Sequence, residues 1–175
     1  MDKRKQIMRM TRNAVMLALL CVIGMFSLPL GDNIKVSLQL LMVFIIGLTS
    51  VSFIDGFIVA GLYLLIGLFI PVYAGFISGV TPTFGFVLSF PFVAVVTYFL
   101  NKLPIKNQFI RMPLACLVSL LLCYAIGTTF LALYLKLNIQ KALLIAVVPY
   151  IPFDIAKIVI AVLVVSLLPK RSSSL

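Results

Sequence analysis

The sequence predicts an all-α integral membrane protein, a single domain over residues 1–175 with about six transmembrane helices. Three observations predict it. Hydrophobic residues make up 63% of the chain and charged residues only 10%, with a mean hydropathy of +1.27, whereas a soluble domain carries about 25% charged residues. The apolar residues fall in long runs separated by short groups of turn formers. The bases gather at a few positions between those runs instead of spreading over a surface.

The placement of the bases sets the expected orientation. Lys3, Arg4, Lys5, Arg9 and Arg12 precede or open the first apolar run; Lys102, Lys106 and Arg111 lie in "NKLPIKNQFIR"; Lys170 and Arg171 close the last run. The remaining loops carry only Lys35, Lys136 and Lys141. By the positive-inside rule the three clusters face the cytoplasm. The expectation is a multi-pass protein of the cell membrane with both termini cytoplasmic, a basic N-terminus over 1–9 and a cytoplasmic tail over 169–175. The net charge of +10 does not argue for nucleic acid, because a basic face in water needs a soluble part that this chain lacks.

Helix one is expected from about Met10 to Leu28 and is read as retained, because no small-residue cleavage site follows the run. Pro29, Gly31, Asp32 and Asn33 end it in a turn. Helix two is expected from about Val36 to Ser52, "SFIDG" as a short hinge, and helix three from there to about Ile70. The segment "PVYAGFISGVTPTFG" is broken by Pro71, Gly75, Gly79, Pro82 and Gly85 yet is not polar. It is expected to fold back on the protein, where irregular backbone at membrane depth is tolerated. Helix four is expected from about Phe86 to Leu100 and helix five from about Met112 to Leu135. The last run, Ala142 to Leu168, is too long for one level span and is interrupted by Pro149 and Pro152.

That last run holds an acid and a base, Asp154 and Lys157. Pro152 suits a helix start, which puts Asp154 in a first turn where the helix dipole favours a carboxylate. Counting back from Leu168 places Asp154 about 21 Å up, in the outer third of the bilayer core. The i, i+3 spacing puts both charges on one face, and charges at that depth face a protein interior or a wet cavity. The pair reads either as a structural ion pair or as the polar floor of a site for a ligand entering from outside. Gln39, Tyr73, Thr81, Thr83, Tyr124 and Thr128 lie near the outer ends of spans and could converge on it. On helix one, Ala14 and Ala18 lie four apart, with Gly24 further along; small residues at that spacing let another helix approach closely, from a partner or from this chain.

Several chemistries have no support. Cys21, Cys116 and Cys123 lie in apolar runs without a CxxC, and His is absent, so no metal site, haem attachment or cofactor is expected. There is no Walker phosphate loop, and Asp32 and Asp55 stand alone at helix ends. The chain therefore reads as a binding protein that borrows energy from a partner, and not as an enzyme. An intramembrane enzyme, or a scaffold with a structural Asp–Lys pair, is the alternative.

The chain resembles, over nearly its whole length, the substrate-binding S component of energy-coupling-factor (ECF) vitamin transporters, most specifically the BioY family. "PYIPFDIAK" resembles the family's Pro-Gly-Asp-x-x-Lys signature, with Asp154 and Lys157 on its acid and base. "SLQ", Ser37 to Gln39, resembles the Thr-Leu-Gln after the first outer turn, and "LYLLIGLFIPVYAGF" the third helix and its loop. "TPTFGF" is similar to Gly-Pro-Thr-Gly-Gly-Tyr, and "YAIGTTFL" to Tyr-x-x-Gly-x-x-Trp-Leu of the fifth helix. The resemblance implies the ECF S-component fold. It also implies capture of biotin or a related carboxylic-acid vitamin, and uptake with a transmembrane coupling subunit and two ATPase subunits. The ligand-binding residues it implies are Asp154, Lys157, Gln39, Tyr73, Thr83, Phe84, Gly85, Phe86 and Tyr124, and Ala14 and Ala18 match the small-residue motif that docks on the coupling subunit. The chain departs from the family at Phe153 in place of Gly, at Phe84-Gly85-Phe86 in place of Gly-Gly-Tyr, at Phe130 in place of Trp, and in the polar Asp32, Asn33 and Lys35. These changes alter bulk and polarity near the expected pocket, which keeps a different vitamin such as lipoate as the alternative ligand.

Overall fold

The computed structural model describes residues 3–29 and 35–168. Asp32, Asn33, Lys170, Arg171 and the tail over 169–175 lie outside the described residues. The elements are α1 (Lys3–Met25), β1 (Ser27–Pro29), β2 (Lys35–Ser37), α2 (Gln39–Thr49), α3 (Phe53–Phe69), α4 (Phe84–Leu100), α5 (Gln108–Leu135), α6 (Ile139–Ala146) and α7 (Ile151–Leu167), with a 3-10 turn at Val148–Tyr150 joining the last two. Counting α6, the turn and α7 as one rod gives six helical rods among the described residues. Three are long and apolar enough to cross a membrane: α1, α5 and the α6–α7 rod.

Several boundaries move from the sequence expectation, each for a local reason. α1 starts at Lys3 and not at Met10, since Lys, Arg, Gln and Met are all good helix formers. Its C-terminal end and the expected start of helix two become an antiparallel ribbon with the register Ser27↔Ser37, Leu28↔Val36 and Pro29↔Lys35. Pro29 pushes Leu28 out of the helical region. "SFIDG" is no hinge. Ser52 is the N-cap of α3 and Asp55 its third residue, and the two form a reciprocal capping box. α5 starts at Gln108, where the Asn107 side chain accepts the Phe109 N–H at 2.9 Å.

α2 is the central post. Nine of its eleven residues are buried, which makes it a core helix on all sides. α1, α3, α4 and α7 pack around it. At about 1.5 Å per residue it is far shorter than the roughly 30 Å hydrocarbon core, which is possible because protein and not lipid surrounds it. Gly47 permits the approach of α4: a Cβ there would lie 2.7 Å from the Thr97 Cβ and 3.0 Å from the Ala94 carbonyl oxygen.

The segment between α3 and α4 folds back as expected. Gly75 donates its N–H to the Met25 carbonyl at the end of α1 at 2.9 Å, and Gly79 donates to the Gly67 carbonyl of α3 at 2.9 Å. Both glycines have positive φ, 81° and 80°, which explains their place in the turn.

At the opposite end of the bundle Asp55 does not stand alone. Its buried carboxylate accepts from Arg9 Nε and from Asn13 Nδ2, each at 2.7 Å, and from the Ser52 N–H at 3.1 Å. Arg12 donates to the Thr49 carbonyl at 3.0 Å. This knot ties the basic half of α1 to the α2–α3 turn. A carboxylate with one local partner in sequence looks unpartnered; its other donors, Arg9 and Asn13, come from more than forty residues away.

Candidate functional site

The acid and base of α7 meet inside the bundle. Lys157 Nζ lies 2.7 Å from Asp154 Oδ1, and the residues are 6% and 4% exposed. Pro152 stands at the second position of α7, one place later than expected. The other carboxylate oxygen, Oδ2, accepts from Tyr124 Oη of α5 at 2.6 Å. The sequence-predicted residues Asp154, Lys157 and Tyr124 therefore form one cluster across two helices.

The cluster is poised for more bonds. An ammonium has three donors, and Lys157 uses one on Asp154. An ionised carboxylate has about four lone-pair sites, of which two are taken. The cluster can thus offer N–H donors and carboxylate acceptors side by side. One turn along α5 from Tyr124, the Thr128 hydroxyl is buried without a hydrogen-bond partner among the described residues. Thr128 is one of the outer polar groups named from the sequence, and no hydrogen bond among the described residues ties it to the Asp154 cluster.

A second polar cluster holds Gln39 at the start of α2. Gln39 Nε2 donates to Tyr63 Oη at 2.5 Å, Tyr63 Oη donates to the Val72 carbonyl at 2.9 Å, and Ser37 Oγ donates to Gln39 Oε1 at 3.1 Å. Tyr63 of α3 is its hub and is fully buried. It was absent from the sequence-predicted set. The available signal was the phenol itself, which must find a partner when buried in hydrocarbon.

An aromatic run leads from this cluster to α5. Tyr63 meets Tyr73 edge-on at 5.7 Å, Tyr73 meets Phe84 at 6.3 Å, and Phe84 meets Phe130 at 5.8 Å. Tyr73 also donates its Oη to the Leu64 carbonyl at 2.6 Å, and its ring covers Gly67. Gly85 lies under the Phe130 ring and Gly127 under the Phe86 ring, so Phe84, Gly85 and Phe86 lock the start of α4 onto α5. Thr83 is different. It is exposed at the N-cap of α4, its hydroxyl 3.2 Å from that of Thr81, and no contact brings it to the Asp154 cluster.

On α1 the small residues divide. Gly24 is buried, and a Cβ there would lie 2.7 Å from Tyr63 Oη; Ala14 and Ala18 are exposed on the outer face.

Comparison with known proteins gives four concordant findings. A model of the BioY family matches residues 1–174. A protein of Pyrococcus horikoshii named "Probable biotin transporter BioY" is 32% identical over 156 residues, covering 86% of this chain and 90% of that protein. The biotin transporter BioY of Thermotoga maritima is 30% identical over 166 residues, covering 93% and 96%. The crystal structure of an S-component for biotin from an ECF-type ABC transporter has the same fold, with a TM-score of 0.83 at 22% identity, over 94% of this chain and 92% of that one.

Proposed function

Because the chain belongs to the BioY family, we propose that it is the membrane-embedded S component that captures biotin from outside the cell for an ECF-type ABC importer. The observation that carries the reading is the buried Asp154–Lys157–Tyr124 cluster. Biotin ends in a cyclic urea whose carbonyl is flanked by N–H groups. An ammonium donor beside a carboxylate acceptor matches that pattern: Lys157 donates to the urea oxygen while Asp154 accepts from the neighbouring N–H. Two adjacent side chains grip one end of the ligand and leave its acyl tail to other residues.

Gln39, Tyr73, Phe84, Gly85 and Phe86 form the remaining wall in this reading, and Thr83 lies at its rim. Ala14 and Ala18 of α1 form the face that meets the transmembrane coupling subunit, through which two ATPase subunits drive uptake. Small residues on an otherwise unpartnered helix face allow the close approach such docking needs. Both termini and the Lys102–Arg111 loop face the cytoplasm, following the clustered bases.

The enzyme alternative finds no support at Lys157. A Ser–Lys pair would need a serine hydroxyl at the ammonium, but Lys157 bonds to a carboxylate, and Ser89 Oγ turns to Cys123 Sγ at 3.1 Å and to the Phe86 carbonyl at 2.6 Å.

The test is a titration of the purified chain with biotin and with lipoate, an acid of related shape that lacks the urea. The expected result is saturable biotin binding and much weaker lipoate binding. Lipoate binding in preference to biotin would assign the family fold to a different vitamin.

A further inference from the structure

An open apolar groove of about 470 Å³ runs along the outside of the bundle, and none of its lining residues belongs to the Asp154 cluster. Phe53, Ile54 and Phe57 of α3, Phe92 and Val96 of α4 and Leu122 of α5 are among its walls. Phe53, Ile54, Phe57 and Phe92 are exposed to the surroundings. A wall this apolar in a membrane protein suits a hydrocarbon chain, and what lies at its end decides which one.

A run of rings leads from the groove wall at Phe53 to a lysine. Phe53 stacks on Phe99 with ring centroids 5.5 Å apart, Phe99 meets Tyr98 edge-on at 5.4 Å, and Lys102 Nζ lies 4.4 Å over the Tyr98 ring. The cation–π contact holds the ammonium over Tyr98, two ring contacts from the groove wall. Lys106 is exposed four residues later, and the stretch from Asn101 to Arg111 holds no acid. The acids among the described residues, Asp55 and Asp154, are engaged by Arg9 and Lys157. The negative charge that balances Lys102 and Lys106 is therefore not supplied by these carboxylates.

We propose that this groove is a binding site for an anionic phospholipid, with an acyl chain between α3, α4 and α5 and the phosphate at Lys102 and Lys106. From Phe99 to Phe92 the α4 wall spans about 10 Å, roughly a third of the hydrocarbon core, so it seats the part of an acyl chain nearest the headgroup. Lysines beyond the end of an apolar groove supply the charge that attracts acidic headgroups.

The experiment uses the full chain, purified in a neutral detergent and stripped of lipid. It is offered phosphatidylglycerol or phosphatidylcholine with identical acyl chains, and native mass spectrometry and thermal shift read retention. The expected result is preferential retention of phosphatidylglycerol, weakened by salt because the contact is exposed. Each lysine near the surface contributes about fivefold, so the double variant Lys102→Gln, Lys106→Gln loses up to about 30-fold of that preference, while Lys3→Gln, Lys5→Gln keeps it. Leu122→Trp fills the groove and lowers retention of both lipids. Should that variant not fold, the charge variants and the salt dependence still decide. Equal retention of the two lipids by the native chain overturns the proposal. So does an unchanged preference in the Lys102, Lys106 variant, or a dimer that Leu122→Trp dissociates while no lipid is retained.

Discussion

Tyr124 and Lys157 reach the same carboxylate from opposite sides: the phenol holds Oδ2 of Asp154 at 2.6 Å and the ammonium holds Oδ1 at 2.7 Å. Asp154 is thus fixed between α5 and α7 before any ligand arrives, and each partner can be removed separately.

Removing either charge leaves the other buried alone, a loss of about 3–5 kcal/mol for a buried pair. Asp154→Asn and Lys157→Met are each expected to lower thermal stability in detergent and to abolish ligand binding. The double variant is expected to regain stability, since no lone charge remains, and to stay unable to bind. If affinity returns in the double variant, the pair serves only to hold the helices.

Tyr124→Phe keeps the ring and deletes one hydrogen bond to a charged group, worth about 1.5–3 kcal/mol. The expected outcome is a stability loss of that size with a weakened but measurable affinity for biotin. Calorimetric titration beside a melting curve checks it, and an unaltered melting point would show that the hydroxyl contributes nothing to the cluster.

Thr128→Val replaces a buried, unpartnered hydroxyl with a methyl of the same shape. An unpaired buried hydroxyl costs about 1–3 kcal/mol in protein mutational data, so the ligand-free protein is expected to gain stability. If the hydroxyl meets ligand, biotin affinity falls at the same time, and Thr128→Ser restores it. Unchanged affinity in Thr128→Val removes the residue from the site.

Ala14→Leu and Ala18→Leu put bulk on the exposed face of α1. Assembly with the coupling subunit is expected to weaken while biotin binding by the isolated chain is retained. Normal complex yield with both variants would move the docking face elsewhere.

A single cysteine introduced as Lys106→Cys, in a chain whose Cys21, Cys116 and Cys123 are replaced, reports orientation. An impermeant maleimide is expected to label it in broken cells and to leave it unlabelled in intact ones. Labelling from outside would invert the topology.

The Asp154 cluster was legible where its logic is local. Asp154 and Lys157 share a helix face at i, i+3 in a run with no other charge, and membrane burial alone makes such a pair conspicuous. Tyr124 was legible only as a polar group at a plausible height, because its partner is thirty residues away and no spacing rule connects them. Gln39 and Tyr63 fall in the same class: their bond depends on how α2 and α3 stand, so Tyr63 was passed over. Thr83 is the opposite case: its motif position draws attention, while its exposed hydroxyl meets that of Thr81 and not the Asp154 cluster. Fold class followed from composition, the long apolar runs and the clustering of the bases. The helix ends did not, because Pro29, Ser52 and Asn107 act through backbone conformation and capping, which hydropathy does not register.

The short central helix α2 constrains how the chain enters the bilayer. A segment of eleven residues cannot hold a transmembrane position by its own transfer energy. Its flanks belong to α1, α3, α4 and α7, and α7 follows the other three in the chain. α2 therefore lacks part of its cover until α7 has been made. A nascent chain cut before α7 would leave its own centre unsealed.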